Sequence, residues 1–131
     1  MYASEKKTAT LVYDRATTEF TADDVDRFTG LVDLGDNYEF ITVEIPALDA
    51  SGVVTPYVQW DDLIASDPVP VHALDDDATG SFAHATSSGA GGIAVIFRIG
   101  GMRYLRMYVG ADQTANRIFY IRGFNRMAYG T

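Results

Sequence analysis

The chain has 131 residues, 47% hydrophobic and 12% aromatic, with 18 acidic against 10 basic side chains and a formal charge of -8. That length suits one domain able to bury roughly two-thirds of its unfolded surface, and the composition argues against disorder. Cysteine is absent, which rules out disulfides and thiolate metal sites, and an acidic chain lacks the broad positive field that nucleic-acid binding needs.

The polar opening "MYASEKKTAT" contains no signal-type core, and no apolar run along the chain matches a membrane span. The expectation is a protein folded in a cytoplasm, with residues 1–9 as an extended N-terminal arm on a single domain covering 1–131. Thr10–Tyr13 is a short β-branched and aromatic run. A single short helix is expected at Ala22–Phe28, with Thr21 as N-cap, acids Asp23, Asp24 and Asp26 in its first turn, and Gly30 after its end. Asn37–Ile45 alternates, with Ile41, Val43 and Ile45 on one face. Val53–Trp60 places Val54, Val58 and Trp60 on one side, so Trp60 is expected in the core, while Pro56 suggests an edge strand or a bulge. Val69–Leu74 and Ser81–Ala85 are weaker strands; Ile93–Ile99, Arg103–Val109 and Arg117–Gly123 are the strongest. Glycine, asparagine and aspartate supply turns between them, as in "DDDATG", "SSGAGG" and "GADQTAN". Short strands with little helix indicate an all-β, antiparallel β-sandwich or jelly roll.

The last three strands raise a question of register. A two-residue Gly100-Gly101 hairpin would place Arg106 among core side chains, where an unpaired guanidinium costs several kcal/mol. A three-residue Gly100-Gly101-Met102 loop instead sets Phe97 opposite Leu105 and Val95 opposite Met107. The same logic pairs Met107 with Phe119 and Leu105 with Ile121. The reverse face then collects Arg98, Tyr104, Arg106, Tyr108, Tyr120 and Arg122, with arginine beside tyrosine from strand to strand. These are side chains enriched at protein interfaces. Residues 1–92 are strongly acidic and 93–131 are basic, so this face is expected to be covered either by the chain's own acidic half or by another subunit.

Other sites are poorly supported. Asp75 and Asp77 open a stretch resembling a calcium loop, but Thr86 occupies the position of its final acid. His72 and His84 are the only histidines, and Ser81 lies in no nucleophile elbow. No cofactor is expected, nor an enzyme. Tyr57 and Trp60 are candidates for sugar stacking.

The run "RYLRMYVGADQTANRIFYIRGF" (103–124) resembles the ending of small all-β virion proteins of tailed bacteriophages, among them head decoration or cement proteins. The resemblance implies a non-enzymatic subunit on a virion, a homo-oligomer that contacts the major capsid protein or other virion subunits. It also leaves open another head or tail component. Similar endings occur in carbohydrate-binding sandwiches, which stand as the alternative.

Overall fold

The computed structural model describes residues 2–13, 27–49, 52–71 and 92–126, together with the backbone of His84–Ala85. Its strands are β1 (Lys7–Leu11), β2 (Val32–Ile45), β3 (Val53–Gln59), β4 (Val69–Pro70), β5 (His84–Ala85), β6 (Ile93–Val109) and β7 (Arg117–Phe124). The chain is antiparallel all-β. The described strands join in one hydrogen-bonded sheet in the order β1-β7-β2-β6-β3-β4, with β5 beside β3. Pro56 falls between the two short partners of β3: β5 pairs with Val53 and Val54, and β4 pairs with Tyr57 and Val58. Its missing N–H is therefore asked for by neither.

No helix occurs among the described residues. The expected helix at Ala22–Phe28 lies outside them up to residue 26; Arg27 is in a 3₁₀ turn and Phe28 bridges Tyr108 as extended backbone.

The two strands expected at Ile93–Ile99 and Arg103–Val109 are one strand, which corrects the hairpin at Gly100-Gly101-Met102. The glycines have φ of 71° and 87° and bend β6 without reversing it. Along β2, the five residue steps from Asp33 to Tyr38 are matched by only two steps on β6, between Tyr104 and Met102; the two steps from Tyr38 to Phe40 are matched by four, between Met102 and Arg98. Each strand therefore carries inserted residues beside the other's, and paired bulges bend the two together. Gly35 supplies the bend on the β2 side, with φ of 86° and its N–H donated to Asp33 Oδ1 at 2.8 Å.

The bend closes the sheet on itself. β1 pairs with β7, β7 pairs with the second half of β2, and the chain leading into β2 returns to β1 through a Leu11–Thr29 bridge and a Gly30 N–H to Thr10 O bond of 3.1 Å. Inside this circuit lie Leu11, Leu34, Tyr38, Ile41, Val43, Phe119 and Ile121, and the core continues under β6 and β3 through Leu105, Met107, Val109 and Val54. Burying each large side chain is worth about 1.5–3 kcal/mol, and their sum holds the curl.

β6 and β7 are not hydrogen-bonded neighbours; β2 lies between them. The expected Met107–Phe119 and Leu105–Ile121 pairs are absent, although all four side chains share the core. The 110–116 loop is drawn away instead by Asp49, whose carboxylate accepts from Thr114 Oγ1 at 2.7 Å and Arg117 Nη2 at 2.9 Å.

The Tyr38 ring packs closely against Gly123, so a Cβ at Gly123 would stand 2.6 Å from Cδ2 and 2.8 Å from Cγ of that ring. Both residues are buried, and Leu34 closes the space behind them. Gly123→Ala is expected to cost about 1–3 kcal/mol through overpacking. A urea titration monitored by far-UV circular dichroism reads the loss as a lower midpoint with unchanged slope.

Candidate protein-contact face

The six residues expected to form one contact face are on the outer side of the sheet, but they do not form one surface. Tyr104, Arg106 and Tyr108 lie on the second half of β6 beside β3. Tyr120 and Arg122 lie on β7, and Arg98 lies on the first half of β6. The bend at Gly100-Gly101 and the interposed β2 separate them. The expected neighbours Arg106–Tyr120 and Tyr104–Arg122 therefore do not meet.

The β6–β3 half is covered by the chain itself. Phe28 packs against both Tyr57 and Tyr108, with its centroid 4.8 Å from each, and the two tyrosine rings, 5.3 Å apart, close the cluster. Tyr57 is thus half-buried in an aromatic cluster and offers no open stacking platform. Arg106 is completely buried. Its Nη1 donates to Thr29 O at 3.2 Å and its Nη2 to Ile64 O at 3.2 Å. Of the two covers expected for this face, the chain's own is the one found over Arg106, and the contacts are main-chain carbonyls from two segments laid over the sheet, which offset its desolvation.

Thr29 and Gln59 carry as much of this half as the arginine, and neither stands out in the sequence. Thr29 N–H donates to Met107 O at 2.9 Å, and its hydroxyl accepts from Met107 N–H at 3.0 Å. Gln59, also buried, donates from Nε2 to both Asp61 O and Leu63 O at 2.9 Å. A threonine preceding a glycine and a glutamine ending a strand are too ordinary to mark a buried polar site in advance.

At the rim, Arg103 makes a two-point contact with Asp33, Nε to Oδ1 at 2.7 Å and Nη2 to Oδ2 at 3.1 Å, while its guanidinium lies 5.1 Å from the centre of the Tyr104 ring. Arg27 reaches Asp112 at 3.1 Å and Gly110 O at 3.3 Å. Hydrogen bonds to Tyr108 and then Asp112 raise its pKa further above the ordinary arginine value.

The other half, over β1, β7, the second half of β2 and the first half of β6, is open. The register sets Thr8, Tyr120, Glu44 and Ala94 in one cross-strand row and Arg122, Thr42 and Ile96 in the next, with Lys6 one step beyond the Lys7–Ile121 pair. Ile96 is 61% exposed, and Ile118 and Arg122 are exposed as well. Lys6 Nζ lies 4.7 Å from the centre of the Tyr120 ring. Arg98 pairs with Glu39 at 3.2 Å, and Phe40 and Phe124 stack at 5.3 Å beside it. Over these rows lies an open groove of about 470 Å³, whose lining includes Lys6, Thr42, Glu44, Ala94, Tyr120 and Arg122.

Trp60 is not in the core. β3 ends at Gln59, whose amide turns the chain, and Trp60 stands 86% exposed at the head of the following loop. Asp75 and Asp77, with Ser81, His72 and the side chain of His84, lie outside the described residues. Among those described, no cluster of three His, Asp or Glu side chains could hold a metal.

Replacing Arg106 by alanine leaves two main-chain carbonyls without this donor under a covered surface, at about 1–3 kcal/mol for each buried group left unpaired. Arg122→Ala, on the open half, should stay within about 0.5 kcal/mol of wild type. Equilibrium urea unfolding of both variants checks the contrast; equal losses would refute it. Acid provides a second check. Hydrogen bonds from Arg103 hold the Asp33 carboxyl below its ordinary 3.8, and those from Thr114, then Arg117, do the same for Asp49. The unfolded chain therefore binds more protons in this range. The stability contributed by both groups is complete above pH 3.8 and is lost as pH falls through their lowered folded values. Asp33→Asn with Asp49→Asn should flatten the fall in urea midpoint between about pH 4 and 2.

Set against this geometry, no family model, no curated protein and no solved structure matches the chain.

Proposed function

We infer that the protein is a non-enzymatic structural subunit that works by protein–protein contact, and specifically a virion component of the head-decoration or cement type. The observation that carries this is the open half of the sheet, where exposed Ile96 and Ile118 lie among Tyr120, Arg122 and Lys6. Exposed apolar side chains set among aromatic and cationic ones are a common composition of a surface meant to be covered. The resemblance of residues 103–124 to the endings of small phage virion proteins supplies the setting, with the major capsid protein or another virion subunit as partner and further copies of the chain as neighbours. The function is assembly and stabilisation, with no cofactor and no membrane or nucleic acid in the contact.

A second reading, a carbohydrate-binding module, is favoured by one observation: Trp60 presents its ring to solvent on a hydrogen-bonded loop. A sugar platform of this kind stacks a pyranose on the indole face.

Mass spectrometry of density-purified particles from cultures expressing the chain separates the two. The virion reading expects its peptides to co-band with the major capsid protein at a fixed ratio. Absence from particles, with glycan-array binding that Trp60→Ala abolishes, would replace it with the carbohydrate reading.

A further inference from the structure

The loop after β3 carries a second cluster of exposed apolar side chains, remote from the groove on the open half. Three exposed apolar side chains, Trp60, Leu63 and Ile64, project from it, accompanied by the exposed acids Asp61 and Asp62. The loop is held stiffly. Besides the two bonds from Gln59, Asp61 Oδ1 accepts from Leu63 N–H at 3.1 Å and Ser66 Oγ at 2.8 Å. Ser66 N–H donates to Leu63 O at 3.1 Å, and Arg106 grips Ile64 O from beneath. A large aromatic on a loop fixed in advance loses little conformational freedom when it docks, and tryptophan is the residue type most enriched at interface hot spots.

Within one molecule the loop and the groove do not meet: Trp60, Leu63 and Ile64 stay exposed, and none of them lines the groove. Their charges are opposite. Lys6 and Arg122 stand together at one end of the groove and Glu44 lies in the adjoining row, so an incoming acidic loop is oriented with its aspartates toward the cations. Two loops facing each other would instead bring the acids Asp61 and Asp62 of both copies together with no cation between them, and like charges disfavour that arrangement.

We propose that the Trp60 loop of one molecule seats in the Lys6–Tyr120–Arg122 groove of a second copy. The indole lies against Tyr120, Ala94 and Thr42, with Leu63 and Ile64 on the exposed Ile96, and Asp61 and Asp62 meet Lys6 and Arg122. This contact joins two different surfaces, so it propagates head to tail and either closes into a ring or continues as a filament. It rests on the contact-face reading above and names the occupant of that face.

Sedimentation velocity and light scattering of the purified full chain over a concentration series test it without any particle, so its failure and that of the virion reading are distinguishable. Wild type is expected to self-associate. Trp60→Ala and Arg122→Glu should each weaken association about tenfold or more, with unchanged circular dichroism. Mixing the two variants should yield a heterodimer that grows no further, because each retains the one surface the other lacks. Asp62→Lys combined with Arg122→Glu in one chain should recover association. A wild-type chain monomeric at every concentration, a mixture that stays monomeric, or a charge swap that restores nothing would overturn the proposal. Loss of glycan binding alone in Trp60→Ala would assign the loop to sugar and overturn it equally.

Discussion

The covered half of the molecule depends on one buried cation. Arg106 sits where three consecutive residues of β6, Leu105 to Met107, are all inaccessible to solvent, so the strand is roofed on both faces at that point. The planar donors of the Arg106 guanidinium reach two main-chain carbonyls there, Thr29 O and Ile64 O, which offsets part of the cost of burying the charge. The same two bonds tie the lead-in to β2 and the loop after β3 onto the sheet. Remove the charge and two segments lose their common anchor; remove either segment and a charge is left in a dry place. This mutual dependence makes the arrangement specific as well as stable.

The curl of the sheet is the second determinant, and it divides the molecule by function. Adjacent bulges on β2 and β6 bend both strands at the same level. One half of the outer face folds under the chain's own cover while the other stays open. A flat sheet would have exposed the whole Arg/Tyr row. The bend instead commits Arg106 and Tyr108 to internal packing and leaves Arg122 at the surface beside a half-buried Tyr120.

What the sequence revealed was parity. Phe97, Leu105, Met107 and Val109 are all odd-numbered and all point inward, and alternation alone identifies them. Pairing was not legible. Two adjacent glycines can reverse a strand or bend it, and both outcomes keep the odd-numbered set on one face, so the hydrophobic pattern cannot choose between a hairpin and a continuous β6. Arg106 was legible as facing away from the core, but its cover comes from residues 77 and 42 positions distant, beyond any local signal. Trp60 was misplaced for a related reason. Its spacing from Val54 and Val58 continues the inward phase, yet the strand stops one residue earlier, at a glutamine whose amide bonds to the loop ahead of it.

In the loop after β3, Gln59 and Arg106 take hold of Asp61 O, Leu63 O and Ile64 O, oxygens that every amino acid carries. The shape of the projection is thus encoded beneath it, while the chemistry displayed at positions 60, 62 and 64 is left free. Lineages could retune what this loop recognises through tip substitutions alone, with no repacking below, and an engineer could graft foreign side chains onto the same pedestal.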